Sequence, residues 1–166
     1  MMKVISFLTV LGLSLSAATF ATGDSVNRLS TIQFEDVNEK VITISKDTQI
    51  AIAAFEKDTN TLASGFFNAQ EKDFLTKNSA VYITDIHKMP SIISYLFAYP
   101  KMKKYIFPFY IYNQEGLENT IAHQEEKITV VFFENGVVSE VKFITTEDEL
   151  KTLFEKCAKG RDFKMK

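Results

Sequence analysis

The stretch ITVVFFENGVVSEVKFI, Ile128 to Ile144, leaves the folding chain few choices. Two β-compatible runs flank Asn135-Gly136, and both central positions of a type I′ turn need φ > 0, which Asn and Gly tolerate best. The dipeptide therefore predicts a tight hairpin. Val130 to Phe133 is apolar without alternation, as a strand covered on both faces should be. The return strand is expected to alternate, with Val137, Val141 and Phe143 on one face and Glu140 and Lys142 on the other. Directly after it, Thr146-Glu147-Asp148-Glu149 has the form of a capping box, with acids in the first helical turn. Leu150, Leu153, Phe154 and Cys157 come next at helical spacing, and Gly160 is expected to stop the helix.

Upstream, Gln49 to Phe55 and Ala80 to Ile86 are short unbroken apolar runs, the pattern of buried strands. Asp58-Thr59-Asn60 offers N-cap residues, and Thr61 to Lys77 carries Leu62, Phe66, Phe74 and Leu75 on one helical face. Pro90 suits a helix start, Ile92, Ile93, Leu96 and Phe97 keep helical spacing, and Tyr99-Pro100 is expected to end that helix. Ile106 to Tyr112 reads as a third strand, with Pro108 at its start or on an edge. Ser30 to Ile44 alternates around a polar centre, which predicts a peripheral hairpin, and Thr22 to Leu29 reads as a loose polar lead-in. Strands alternating with helices predict a parallel centre; the closing hairpin adds antiparallel pairing, giving an α/β three-layer sandwich with a mixed sheet.

The first 21 residues stand apart. Met1-Met2-Lys3 is a basic start, Val4 to Ala18 is uncharged and mostly apolar, and Thr19-Phe20-Ala21 supplies small residues for a peptidase. That is the pattern of a secretory signal peptide cleaved after Ala21, with residues 22–166 as one periplasmic or secreted domain and no membrane span left after cleavage. Without Lys3, the 19 basic residues fall to 18 against 21 acidic ones, a net charge of −3 that suits no nucleic-acid partner. Cys157 is the one cysteine, so no intramolecular disulfide forms. On its helical stripe it is either a buried small hydrophobe or a free thiol.

The element order, a βαβ unit, an inserted strand and turn in FPFYIYNQEG, and the closing ITVVFFENGVVSEVKFITTEDELKTLFEK, resembles the thioredoxin-like superfamily over roughly Ser30 to Lys156. The likeness is strongest to its extracytoplasmic thiol-disulfide and peroxiredoxin-like branch. The segment AVYITDIHKMPSIISYLFAYPKMKKYIFPF is also similar to a small group of secreted bacterial members of unassigned function. The resemblance implies a Cys-x-x-Cys after the first core strand and a cis-proline opening a later one. Here Phe55 to Ala63 holds no cysteine, and Lys127-Ile128-Thr129 stands at the proline position. Ordinary disulfide exchange is therefore not expected, which points to a binding or accessory module.

Two other sets of residues bear chemistry. In that arrangement Asp58, Asp85 and His87 would share the strand-end edge with Lys127, as acid, base or metal ligands of an enzyme of another class, or simply as a polar edge. Lys101, Lys103 and Lys104, with Tyr105, form the basic cluster, suited to a protein partner, an anionic ligand or a lipid headgroup, or to plain solvation. His123 is not at metal-ligand spacing from His87, and Ser64 and Ser91 lack an identifiable base. No glycine-rich phosphate loop is present and no cofactor is implied, although some flavin sites leave no readable motif. A redox protein working through Cys157 alone is the remaining alternative.

Overall fold

The computed structural model describes residues 19–164, so the expected leader up to Ala18 lies outside the described residues. Among them, β1 (Phe34–Glu35), β2 (Val41–Ile42), β3 (Ile50–Ala54), β4 (Ala80–Asp85), β5 (Tyr110–Tyr112), β6 (Ile128–Glu134) and β7 (Val137–Ile144) form one sheet ordered β2-β1-β5-β4-β3-β6-β7. The strands β3, β4 and β5 run parallel, and β6 and β7 pair antiparallel beyond β3, as the element order predicts.

Side chains alternate across the sheet with period two, so β3 feeds two cores. Ile50, Ile52 and Ala54 face α2 (Lys57–Asn68) and α6 (Glu147–Lys164), where Phe66, Phe67, Leu150 and Phe154 close the layer. Ala51, Ala53 and Phe55 face the opposite side, which carries a thinner cover: α1 (Asn27–Ser30), the 3-10 turn Leu117–Asn119 and the chain around them. The sandwich has three layers of unequal thickness.

The hairpin forms as expected. Asn135 and Gly136 have φ of 52° and 78°, and Glu134 sits opposite Val137. The faces of β7 depart from simple alternation, because Phe132 pairs with Glu140 while Phe133 pairs with Val138, leaving Ser139 as the extra residue of a bulge. A bulge resets parity. Val138 and Val141 therefore share the inner face, and Val137 is exposed. The capping box holds: Thr146 Oγ1 accepts from the Glu149 N–H at 3.3 Å, and the Glu149 carboxylate accepts from the N–H groups of Thr145 and Thr146. Those bonds keep its pKa below the ordinary value. Gly160 does not stop α6, which runs to Lys164; one glycine costs a helix about 1 kcal/mol, too little to end it alone.

Four other expectations are corrected. The helix drawn from Thr61 to Lys77 begins earlier, at Lys57, and breaks into α2 and α3 (Phe74–Lys77), because Gln70 and Glu71 occupy the turn where its apolar stripe would continue. Its cap is Glu56, whose N–H donates to Thr59 Oγ1 at 3.2 Å, and Asp58 lies inside the first turn. The lead-in is not loose: Val26 and Leu29 are buried, and residues 23–26 hydrogen-bond to Gly136 and Val138 of the hairpin. Pro108 precedes a strand of three residues; β5 lies between β1 and β4, where a residue without an N–H cannot extend the ladder. The helix after Pro90 does not end at Pro100. It runs as α4 (Ser91–Ile93), a π turn over Ser94–Ala98 and α5 (Tyr99–Met102), with the proline in the first turn of α5. Its buried residues are Ser94, Tyr99 and Met102, while Ile92, Ile93, Leu96 and Phe97 face outward.

The hairpin supports a quantitative test. A Cβ on Gly136 would lie 3.9 Å from Val26, an ordinary contact, so the penalty of Gly136→Val comes from φ alone. A β-branched residue at φ > 0 should cost about 1–3 kcal/mol. Glu140→Gln on the exposed face loses only a surface pair with Lys142 and should stay within about 0.5 kcal/mol of the parent. Denaturant melts of both variants check the pair of values.

Candidate functional site

The parallel strands β3 and β4 end side by side, and the segments leaving them build a pocket of about 680 Å³. From β3 come Phe55 and Glu56, then Lys57, Asn60 and Thr61 of the first turns of α2. From β4 come Asp85 and Ile86, then Lys88 and Met89. The end of α4, the π turn and α5 supply the outer wall through Ile93, Phe97, Lys101 and Met102, with Tyr105 beyond them.

Asp85 is the polar residue of the floor. Its side chain is 1 % exposed, and Oδ1 accepts the His87 N–H at 3.0 Å and lies 2.7 Å from His87 Nδ1. The other oxygen, Oδ2, is buried without a hydrogen-bond partner among the described residues. Burial raises the carboxyl pKa above its ordinary value, and the His87 contacts pull it part of the way back. Beside it, the Tyr82 hydroxyl donates to Asn60 Oδ1, and Asn60 Nδ2 donates to Thr84 Oγ1 at 2.5 Å, tying α2 to β4. Desolvation pushes the fully buried Tyr82 hydroxyl well above its usual pKa.

Of the residues singled out from the sequence, Asp85 and His87 come together and Asp58 does not join them. Asp58 is exposed on α2, and its side chain makes no hydrogen bond or ion pair among the described residues. Nor do His, Cys, Asp and Glu side chains gather in any group of three or more able to hold a metal ion among those residues. The basic cluster divides: Lys101 and Tyr105 line the pocket, whereas Lys103 and Lys104 are exposed outside it. Lys127 donates to Gln124 Oε1 at 2.9 Å, and the described chain has no cis peptide bond. Cys157 is partly buried against the core between α2 and α6, away from the pocket.

Sequence reasoning missed several contributors. Glu56 was no candidate, yet its carboxylate lies 3.0 Å from His123 Nε2 and accepts the Glu126 N–H at 2.8 Å, while His123 stacks on Phe55 at 4.7 Å. Lys57, Lys88, Met89 and Phe97 were missed as pocket residues. A readable sign was available for Lys88, Met89 and Phe97: no Asp or Glu occurs from Ile86 to Gln114.

No protein-family model matches the chain, and no curated protein matches it. Solved structures do. A hypothetical protein of Sinorhizobium meliloti 1021 is 12% identical over 86% of each chain, with a TM-score of 0.55. A SCO1/SenC family lipoprotein of Bacillus anthracis str. Ames is 10% identical, covering 86% of this chain and 96% of its own, with a TM-score of 0.48. StoA from Bacillus subtilis is 17% identical over 73% of this chain and 93% of its own, with a TM-score of 0.47. At such identities the likeness is one of fold. The parallel unit β3-α2-β4 and the closing unit β6-β7-α6, in the sheet order β4-β3-β6-β7, make that fold thioredoxin-like.

Proposed function

We propose that the protein is an exported thioredoxin-like binding module, which takes a ligand with an apolar body and a hydrogen-bond donor into the pocket at the ends of β3 and β4. The observation that carries this reading is the pocket itself, about 680 Å³ with Phe55, Ile86, Met89 and Phe97 on its walls and the carboxyl groups of Glu56 and Asp85 in its lining. Small-molecule sites have this size and this mixture of apolar walls with few polar groups. Carboxyl oxygens in the lining are acceptors, which suits a hydrogen-bond donor on the ligand. Lys57, Lys88 and Lys101 at the pocket suit an anionic end on the same ligand. The chain's one cysteine lies on α6, which supports binding rather than disulfide exchange at this place.

Anilinonaphthalene sulfonate, with apolar rings, an N–H donor and an anionic group, is a suitable probe. Its fluorescence should rise on addition of the protein, and Met89→Asp should weaken binding about tenfold by placing a charge against the apolar wall. No rise, or a rise indifferent to Met89→Asp, would overturn the reading. The 2.7 Å contact between Asp85 and His87 favours a second reading, in which His87 is a proton acceptor oriented by Asp85. Ester hydrolysis lost in His87→Gln with probe binding intact would select it.

The raised Asp85 pKa makes a separate prediction. A carboxyl raised in the folded state contributes stability that is present below the ordinary aspartate value of about 3.9 and is lost as pH rises through the raised value. Urea melts of the parent and of Asp85→Asn, run from about pH 4 to about pH 7, should therefore show the parent losing ground to the variant as pH rises. A difference independent of pH would contradict the burial of this charge.

Export is part of the proposal, resting on the basic start and apolar run of the first 21 residues. Phe20 supports a cut before Thr19. It is buried, its N–H donates to the Thr120 carbonyl at 2.7 Å, and its ring meets Phe133 edge-on at 5.6 Å. Cleavage after Ala21 forfeits that burial, worth about 1.5–3 kcal/mol. Cleavage after Ala18, with Ser16 as the second small residue, keeps it. N-terminal sequencing of the exported chain should read Thr19 rather than Thr22, and an intact Met1 would remove the export argument.

A further inference from the structure

We infer that the outward face of the helix from Ser91 to Met102 is a docking surface for an anionic lipid bilayer. The helix is apolar on two sides. Ser94, Tyr99 and Met102 face the fold, which leaves Ile92, Leu96 and Phe97 pointing outward at 70%, 63% and 65% exposure. Six of the eight large hydrophobic residues that are exposed among the described residues lie between Ile92 and Ile106. A contiguous apolar ridge of this kind marks an interaction surface rather than ordinary surface scatter.

Charge says what the surface meets. The chain carries 21 acidic residues, yet none falls between Ile86 and Gln114, where Lys88, Lys101, Lys103 and Lys104 all lie. Lys88 and Lys101 share the pocket lining with Ile93 and Phe97, so cationic and apolar groups meet there, and Lys103 and Lys104 are exposed just past the helix end. Acid meets the ridge at Tyr95, whose hydroxyl donates to the Glu39 carboxylate at 3.2 Å. Insertion of Ile92, Leu96 and Phe97 between headgroups, with flanking lysines held at the phosphates, is the geometry of an interfacial helix.

A folded protein partner fits less well. Cores of protein interfaces are depleted in lysine and favour arginine, and no arginine lies between Ile86 and Gln114. Lysines on flexible stems beside protruding aliphatic groups suit a fluid surface, which asks for depth and charge rather than shape. The contact is peripheral, since no helix among the described residues is long and apolar enough to cross a membrane.

Cosedimentation of the exported chain with vesicles tests the inference. Vesicles of equal parts phosphatidylglycerol and phosphatidylcholine should carry the protein down, vesicles of phosphatidylcholine alone should carry much less, and added salt should weaken binding. Leu96→Ser with Ile92→Ser should lower partitioning about tenfold, and Lys103→Glu with Lys104→Glu should erase the preference for the anionic vesicles. None of these four residues lines the pocket, so probe binding should stay at the parental level in both variants, which separates this inference from the pocket reading. Equal sedimentation with both vesicle types, or Leu96→Ser with Ile92→Ser binding like the parent, would overturn it. So would a dimer in analytical ultracentrifugation that these substitutions dissolve while vesicles are ignored, since the ridge would then be a contact between copies.

Discussion

Everything in this fold leans on β3, a strand of five residues all buried and hydrogen-bonded on both sides. A backbone in that position has no alternative partners: each N–H and C=O is satisfied only if β4 and β6 are in register beside it. Its sequence, IAIAA, sets the spacing of the layers. Ile50 and Ile52 meet the thick aromatic layer of Phe66, Phe67 and Phe154, while Ala51 and Ala53 let the thin opposite cover approach. The chain leaves β3 directly into the pocket through Phe55 and Glu56. Glu56 then serves two elements, its N–H capping α2 and its carboxylate fastening the segment around His123 and Glu126.

Local rules made the frame legible. Asn135-Gly136, the Thr146–Glu149 box and the unbroken runs of β3 and β4 each have one low-energy local solution, and each was found there. Failures occur where a second term competes. Simple alternation misassigned Val137 because the bulge at Ser139 belongs to the pairing of two strands and leaves no mark in either alone. Helical spacing carried the helix across Gln70 and Glu71 because apolar residues on both sides kept the phase. The lead-in read as loose because its order comes from main-chain bonds to the hairpin, which no side-chain pattern encodes.

The candidate site was legible only in part, for a similar reason. Asp85 and His87 are two residues apart at a strand end, so their meeting is local, whereas Asp58 is placed with them by topology alone and is exposed in the first turn of α2. The aromatic and methionine walls could not be told from core by residue type. Their exposure depends on whether another layer covers them, and on the outer side of α4 and the π turn nothing among the described residues does.

That uncovered side lies in the one connection whose composition the fold leaves free. A parallel step from β4 to β5 needs a crossover of a dozen or more residues, and any helix that packs back on the sheet will do. One buried face, supplied here by Ser94, Tyr99 and Met102, meets that need. A second apolar face, a helix carried through Pro100 by a π turn, and a run without acids are all beyond what closing the sheet requires. Exposed apolar side chains lower solubility, and a π turn gives up regular helical bonding. These features converge on the wall of the pocket and the ridge above it. Physical cost without structural return therefore favours a functional surface on the crossover between β4 and β5, which walls the pocket that the turn after β3 also lines.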